Sequence, residues 1–102
     1  MRIDGFEWDA GNREKCHKHG LSVEEIESLF AGALTVFPDT DHSLDEERIK
    51  AIGRTTEGRH VFIVFTIRTR GGRRLIRPIS ARHMHKREIA HYEKEAAKTE
   101  KR

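Results

Sequence analysis

Cysteine is nearly missing from this chain of 102 residues. A lone Cys16 excludes an internal disulfide and fits a reducing compartment. Long apolar runs are missing as well. Nothing approaches the ~20 residues that span a bilayer, and the opening MRIDGFEWD lacks the apolar stretch of a signal peptide. A cytoplasmic protein with no membrane contact is expected. There is no internal repeat and no Pro/Gly/Ser-rich linker, so residues 1–102 read as one domain. Apolar residues make up only 35% against 36% charged, which allows one thin core. Cofactor and metal signatures are missing too. The chain has no P-loop, no G-x-G-x-x-G, no H-E-x-x-H and no Cys/His zinc spacing. Its pairs His17/His19 and His83/His85 are two residues apart and diverge on a helix. No cofactor and no metal are expected.

What is present is charge, unevenly placed. Residues 1–47 carry 4 Lys/Arg against 12 Asp/Glu, a net of −8, and residues 48–102 carry 16 against 5, a net of +11. Nine of the later basic residues are arginines between Arg48 and Arg82, most of them within or beside apolar runs. An arginine held that way presents a planar fork that pairs bidentately with phosphate and stacks on bases. The pattern points to RNA or another polyanion.

The order of elements reads β-α-α-β-β-β-β-α. Ile3, Phe6 and Trp8 suggest a short first strand. Asp9 can cap a helix over 10–19 that Gly20 ends, and Ser22 with Glu25 forms a capping box for a second helix. ALTVF at 33–37 reads as a strand, followed by the polar loop DTDHSLDEE. Three strands follow at about 47–55, 60–69 and 73–80, with Gly71-Gly72 as a tight turn. HVFIVFTI is apolar on both alternations and should be a central strand covered on both faces. A final helix spans about 82–98 and packs on the sheet, fraying from about residue 94. Trp8, Phe30, Phe62, Val64, Phe65, Ile76, Ile79 and Tyr92 form the expected core. The fold class is α+β: an antiparallel meander, with the short first strand as an addition, two N-terminal helices and one C-terminal helix.

Several clusters bear on chemistry. Arg48, Lys50 and Arg54 share one strand face, and Arg68 shares another with Phe62, Val64 and Thr66. Regular alternation places Leu75, Arg77 and Ile79 together and Arg74, Ile76 and Ser80 opposite. Convergence of these arginines depends on strand register, and a solvated face of scattered ion pairs is the plainer alternative. Arg82, His83, His85, Lys86 and Arg87 fall where the last helix should begin, where free N–H groups favour an anion. Otherwise Arg82 bridges to a carboxylate and the histidines are plain surface residues. The first helix has almost no apolar residue, so it either borders a polar site or is held by its caps. Cys16 reads as a packing residue rather than a nucleophile.

The strings FEWDAGNREKCHKHGLSVEEIESLF, DEERIKAIGRT, VFIVFTIR and RPISARHMHKREIAHYE, in that order, resemble the BrnT family, from Phe6 to about Glu93. BrnT proteins are the toxin halves of bacterial type II toxin–antitoxin modules. The resemblance implies a RelE-like toxin fold and an RNA endonuclease that inhibits translation. It also implies a BrnA-like antitoxin, in a hetero-oligomer that meets DNA only through that antitoxin.

The resulting expectation is a metal-independent endoribonuclease. Such cleavage needs a base for the ribose 2′-hydroxyl, positive charge on the phosphorane and an acid for the 5′-oxygen. Arg48, Arg68, Arg77 and Arg82 are candidates for the charge, with Arg68 and Arg82 expected to meet as a clamp. Glu47, His85 and Lys15 are candidates for proton transfer. The alternative is a non-catalytic basic module that binds RNA or an acidic antitoxin segment.

Overall fold

A computed structural model describes residues 3–39 and 48–100. Short β1 (Gly5–Phe6) leads into helices α1 (Ala10–His17) and α2 (Val23–Leu29). Strands β2 (Thr35–Asp39), β3 (Arg48–Arg54), β4 (His60–Arg70) and β5 (Arg73–His83) follow, then helix α3 (Lys86–Glu100). The sheet order is β1-β5-β4-β3-β2. The last four strands form the expected antiparallel meander, and β1 joins its edge in parallel with β5.

Local chemistry explains most of the boundaries. Asp9 accepts from the Asn12 amide at 2.9 Å while the Asn12 side chain accepts from the Asp9 amide at 2.7 Å, closing a capping box on α1. Ser22 and Glu25 do the same for α2, at 3.1 Å in both directions. The β4–β5 turn uses Gly71 (φ 56°) and Gly72 (φ 77°), both in the left-handed region that a two-residue hairpin requires.

One sheet face carries the core. Paired residues project to the same side, so Ile49, Ala51, Val61, Ile63, Phe65, Ile76 and Ala81 line up beneath α1 and α2. Cys16, Leu21, Ile26 and Leu29 meet them from the helices. Gly53 sits under α2 because a Cβ there would lie 2.7 Å from Leu34 Cδ2. Helix α1, polar as its sequence is, has a buried seam of Asn12 and Cys16. The Asn12 amide donates to the carbonyls of Glu7 (3.0 Å) and Pro78 (2.8 Å), so it satisfies β5 where β1 ends. The caps and this tertiary bond hold the helix.

Two expectations need correction. The last helix does not begin at residue 82: β5 continues to His83, because Ala81 and His83 pair with Ile63 and Val61. Helix α3 then runs from Lys86 to Glu100. The expected core residues are mostly buried: Phe65 and Ile76 are closed off, while Trp8, Phe30, Phe62, Val64, Ile79 and Tyr92 keep a partial exposure. Trp8 and Phe30 lie on the helix side, where Phe30 lines an open groove; Phe62 and Val64 lie on β4's second face, which is not roofed as its first is. Helix α3 reaches that face at one end, through Tyr92 and Glu93 near His60 and Glu88 on Arg82.

The second correction concerns alternation. Val64 pairs with Ser80 but Phe65 pairs with Pro78, so Ile79 is an extra residue in a β-bulge. Proline lacks the N–H that a regular ladder uses, and bulges are where sheets accommodate it. The bulge reverses the phase. Ser80 and Arg82 therefore share the face of Leu75 and Arg77, not the opposite one.

Candidate functional site

The bulge gathers the basic side chains. Arg48, Lys50 and Arg54 of β3 pair across to even-numbered residues of β4 or follow the same alternation. Arg68 and Arg70 continue that face on β4, and Arg73, Arg77 and Arg82 join it from β5. Three adjacent strands thus present their arginines on the face away from α1 and α2.

The face has two ends. At one, Glu7 emerges from β1 and accepts from Arg68 at 3.2 Å, from Arg77 at 3.5 Å and closely from Arg70 Nε. Its side chain is 17% exposed. The Arg70 hydrogen bond, reinforced by the charges of Arg70, Arg68 and Arg77, holds the carboxyl below its usual range against the opposing effect of burial. Arg77 also donates to Asp9 at 2.7 Å. Asp9 titrates low because it accepts from the Asn12 amide and from Arg77.

At the other end Arg82 forms a two-pronged pair with Glu88, at 2.8 and 2.7 Å, and its guanidinium lies 5.3 Å from the Phe62 ring centroid. Glu88 also accepts from the His85 amide at 2.9 Å, and its carboxyl is pulled down to about 2, chiefly by Arg82. Beside it, buried His60 accepts from Arg54 Nε at 3.2 Å and lies 3.8 Å from Glu93. The Tyr92 hydroxyl meets the Thr35 hydroxyl at 2.5 Å.

The expected clamp of Arg68 with Arg82 is not formed. Arg82 lies opposite Phe62, and Arg68 stands six residues further along β4. At ~3.3 Å per residue that is roughly 20 Å. The structure brings Arg68 together with Arg77 and Arg70 instead, around Glu7. Arg48 opens β3 on the same face, half-buried, with Asp39 as its backbone neighbour. Lys15 lies on the exposed side of α1 and lines a shallow depression with Asp9, Asn12 and Arg77. His85 is exposed in the β5–α3 connection. Glu47 lies outside the described residues.

Reading the sequence alone misses Glu7 and His60 as members of these clusters. The signal for Glu7 was its position next to Phe6: if Phe6 faces the core, the next side chain faces the other way. Cys16 is buried, and burial pushes its thiol pKa up, as suits a packing residue. His83 ends β5 with a buried Nδ1 that has no hydrogen-bond partner among the described residues. On the helix side an open groove of about 700 Å³ is lined by apolar residues such as Phe6, Phe30, Leu34 and Ile49, with Glu27 at its edge. It lacks the convergent polar groups that chemistry needs. Among the described residues no group of three or more His, Cys, Asp or Glu is placed to hold a metal ion, and no helix is long and apolar enough to cross a membrane.

Comparison with curated proteins returned no match. A family model does match, over residues 8–88, and its description is ribonuclease toxin, BrnT, of type II toxin-antitoxin system.

Proposed function

The chain belongs to the BrnT family of type II toxin–antitoxin ribonuclease toxins, and from that premise we propose that it is a metal-independent endoribonuclease that inhibits translation in the cytoplasm. The observation that carries this reading is the bulge-phased basic face, with Arg68, Arg70 and Arg77 crowded at one end.

The geometry suits RNA in a specific way. Arginine forks on a sheet neutralise backbone phosphates, and half-exposed Phe62 with Arg82 offers a surface on which a base can stack. Cleavage proceeds by attack of the ribose 2′-oxygen on the adjacent phosphorus, so no external nucleophile is required. Arg68 and Arg77 stabilise the charge that develops on the phosphorane. Arg48 extends the phosphate track along β3, and Arg82 holds the more distant nucleotide. Of the candidates for proton transfer, Lys15 borders the end where Arg68 and Arg77 meet and is the one placed to protonate the 5′-oxygen, His85 lies at the Arg82 end, and Glu47 remains a candidate by sequence. A BrnA-like antitoxin neutralises the toxin within a hetero-oligomer and supplies its DNA contact.

The experiment is cleavage of bacterial RNA by the purified protein in EDTA, with analysis of the product ends. Cleavage that leaves 2′,3′-cyclic phosphate and 5′-hydroxyl ends is expected. Intact RNA, or activity that EDTA abolishes and a metal restores, would overturn the mechanism.

A further inference from the structure

We propose that Glu7 is a further catalytic residue, the general base that accepts the proton of the RNA 2′-hydroxyl. The inference rests on the ribonuclease reading and names a group in the site that the family match does not assign.

The argument is one of placement. The 2′-oxygen and the phosphorus it attacks belong to one nucleotide, so the base must lie within a few ångströms of the forks that hold that phosphate. Glu7 meets this condition, with Arg68, Arg70 and Arg77 all in contact with its carboxylate. The other acids placed on this face suit the task less. Glu88 sits with Arg82 at the other end of the face, away from these forks. Glu93 is 56% exposed beside Arg54. Asp9 touches only Arg77 among these arginines, and it caps α1 through the Asn12 amide.

Each guanidinium has several N–H donors, so the arginines can hold Glu7 and a phosphate together. They keep the carboxylate ionised and therefore able to accept a proton. An arriving phosphate adds negative charge beside it and raises its basicity again. In the step itself the 2′-hydroxyl proton passes to a Glu7 oxygen as the 2′-O–P bond forms. The P–O5′ bond then breaks, and O5′ leaves with the electron pair and takes a proton from the general acid, for which Lys15 is the candidate at this end and which solvent reprotonates. Glu7 returns its proton to solvent. No oxidant, reductant or metal enters the balance.

A positioning role, in which Glu7 only aligns the arginines, makes different predictions, and the test separates the two. Cleavage of bacterial RNA and binding of a fully 2′-O-methylated oligoribonucleotide are measured for wild type, Glu7→Gln and Glu7→Asp, with thermal melts for each. Glu7→Gln should bind the uncleavable probe at least as tightly as wild type, because a negative charge has left the phosphate face, yet cleave about 10²–10⁴-fold more slowly. Glu7→Asp, a displaced base, should fall between the two. Cleavage by Glu7→Gln within about threefold of wild type would overturn the proposal, as would a loss of cleavage matched by an equal loss of binding. Should Glu7→Gln fail to fold, the wild-type pH–rate profile decides. Glu7 faces Arg68 and Arg70 of β4 and Arg77 of β5, with Asp9 beyond Arg77. The rate should decline on the acid side as one carboxylate with a lowered pKa is protonated; a flat profile down to acid unfolding would sink the idea. A wild type that cleaves no RNA would defeat the ribonuclease reading itself, whereas an active Glu7→Gln defeats only this inference.

Discussion

Arg77 and Arg82 lie on one face of one strand, yet their partners give them different roles. Arg77 is 20% exposed and shared between Glu7 and Asp9. Arg82 is bound by Glu88 and lies against Phe62. Removing Arg82 therefore frees the first turn of α3 as well as a cation, and lost activity there would mix two causes. Arg77 is the cleaner probe. Arg77→Ala should lower RNA cleavage by about 10²–10³-fold, the scale of one lost transition-state donor. Arg77→Lys should recover little, since a point charge does not reproduce the fork. Steady-state cleavage beside a thermal melt checks this, and an Arg77→Ala protein with wild-type activity would remove Arg77 from the site. Packing predictions also live at this scale. Phe65 is 5% exposed between the Phe30 ring and the core, so Phe65→Ala should cost about 3–5 kcal/mol. Ile79, the extra residue of the bulge, is only half-buried and should cost clearly less. Equal losses in denaturant unfolding would mean that the bulge is packed more tightly than its exposure indicates.

At the scale of elements, what the sequence revealed was what depends on near neighbours. Both capping boxes join residues three apart, and the Gly71-Gly72 turn needs only its own two residues. The central place of β4 was legible because VFIVF is apolar at every position. What stayed hidden depends on partners distant in sequence. The bulge exists only relative to β4, and Pro78 was its one local sign. Missing it put Arg77 and Arg82 on opposite faces; the clamp between Arg68 and Arg82 fails on distance, because the Gly71-Gly72 hairpin sets Arg82 opposite Phe62. The end of β5 was hidden for the same reason, since IleSerAlaArg reads equally as a helix start until Ala81 and His83 are paired. Helix α3 yields a pH prediction. Glu88 has its carboxyl lowered from 4.5 to about 2 in the fold. A depressed folded pKa gives stability that is present above the unfolded value and lost as pH falls through the folded one. The docking of α3 should thus weaken between about pH 4.5 and 2, and hardly at all above. The pair is about one-third exposed, so its net worth is roughly 0.2–1 kcal/mol. Protection of the α3 amides, corrected for the intrinsic pH dependence of exchange, should fall across this range in wild type and be lower and flat throughout in Glu88→Gln; identical profiles would remove Arg82–Glu88 as the tie.

For the whole molecule, the charge asymmetry of the sequence becomes a difference between two faces, though not a clean one. Glu24, Glu25 and Glu27 lie on α2, on the packed side of the sheet, while the arginines of β3 and β4 and Arg73, Arg77 and Arg82 of β5 cover the other. The acidic half enters the arginine face at Glu7 and Asp9, which β1 and the α1 cap carry into it. RNA must therefore meet a basic surface with a carboxylate already in place. This sets a limit on binding. A single strand that neutralises Z charges loses affinity with a slope of about −0.7Z in the log of the association constant against log salt. If Arg48, Arg68, Arg70 and Arg77 each take a phosphate, the slope should be roughly −3. Arg77→Ala should flatten it by rather less than one unit. Glu7→Gln should tighten binding at every salt concentration, because screening by Glu7 is removed from all three of its arginines at once. Titrations of the 2′-O-methylated probe at several salt concentrations test these signs together. A salt-independent affinity would move the interface to the apolar groove beside Phe6 and Phe30, where a protein partner rather than RNA would fit.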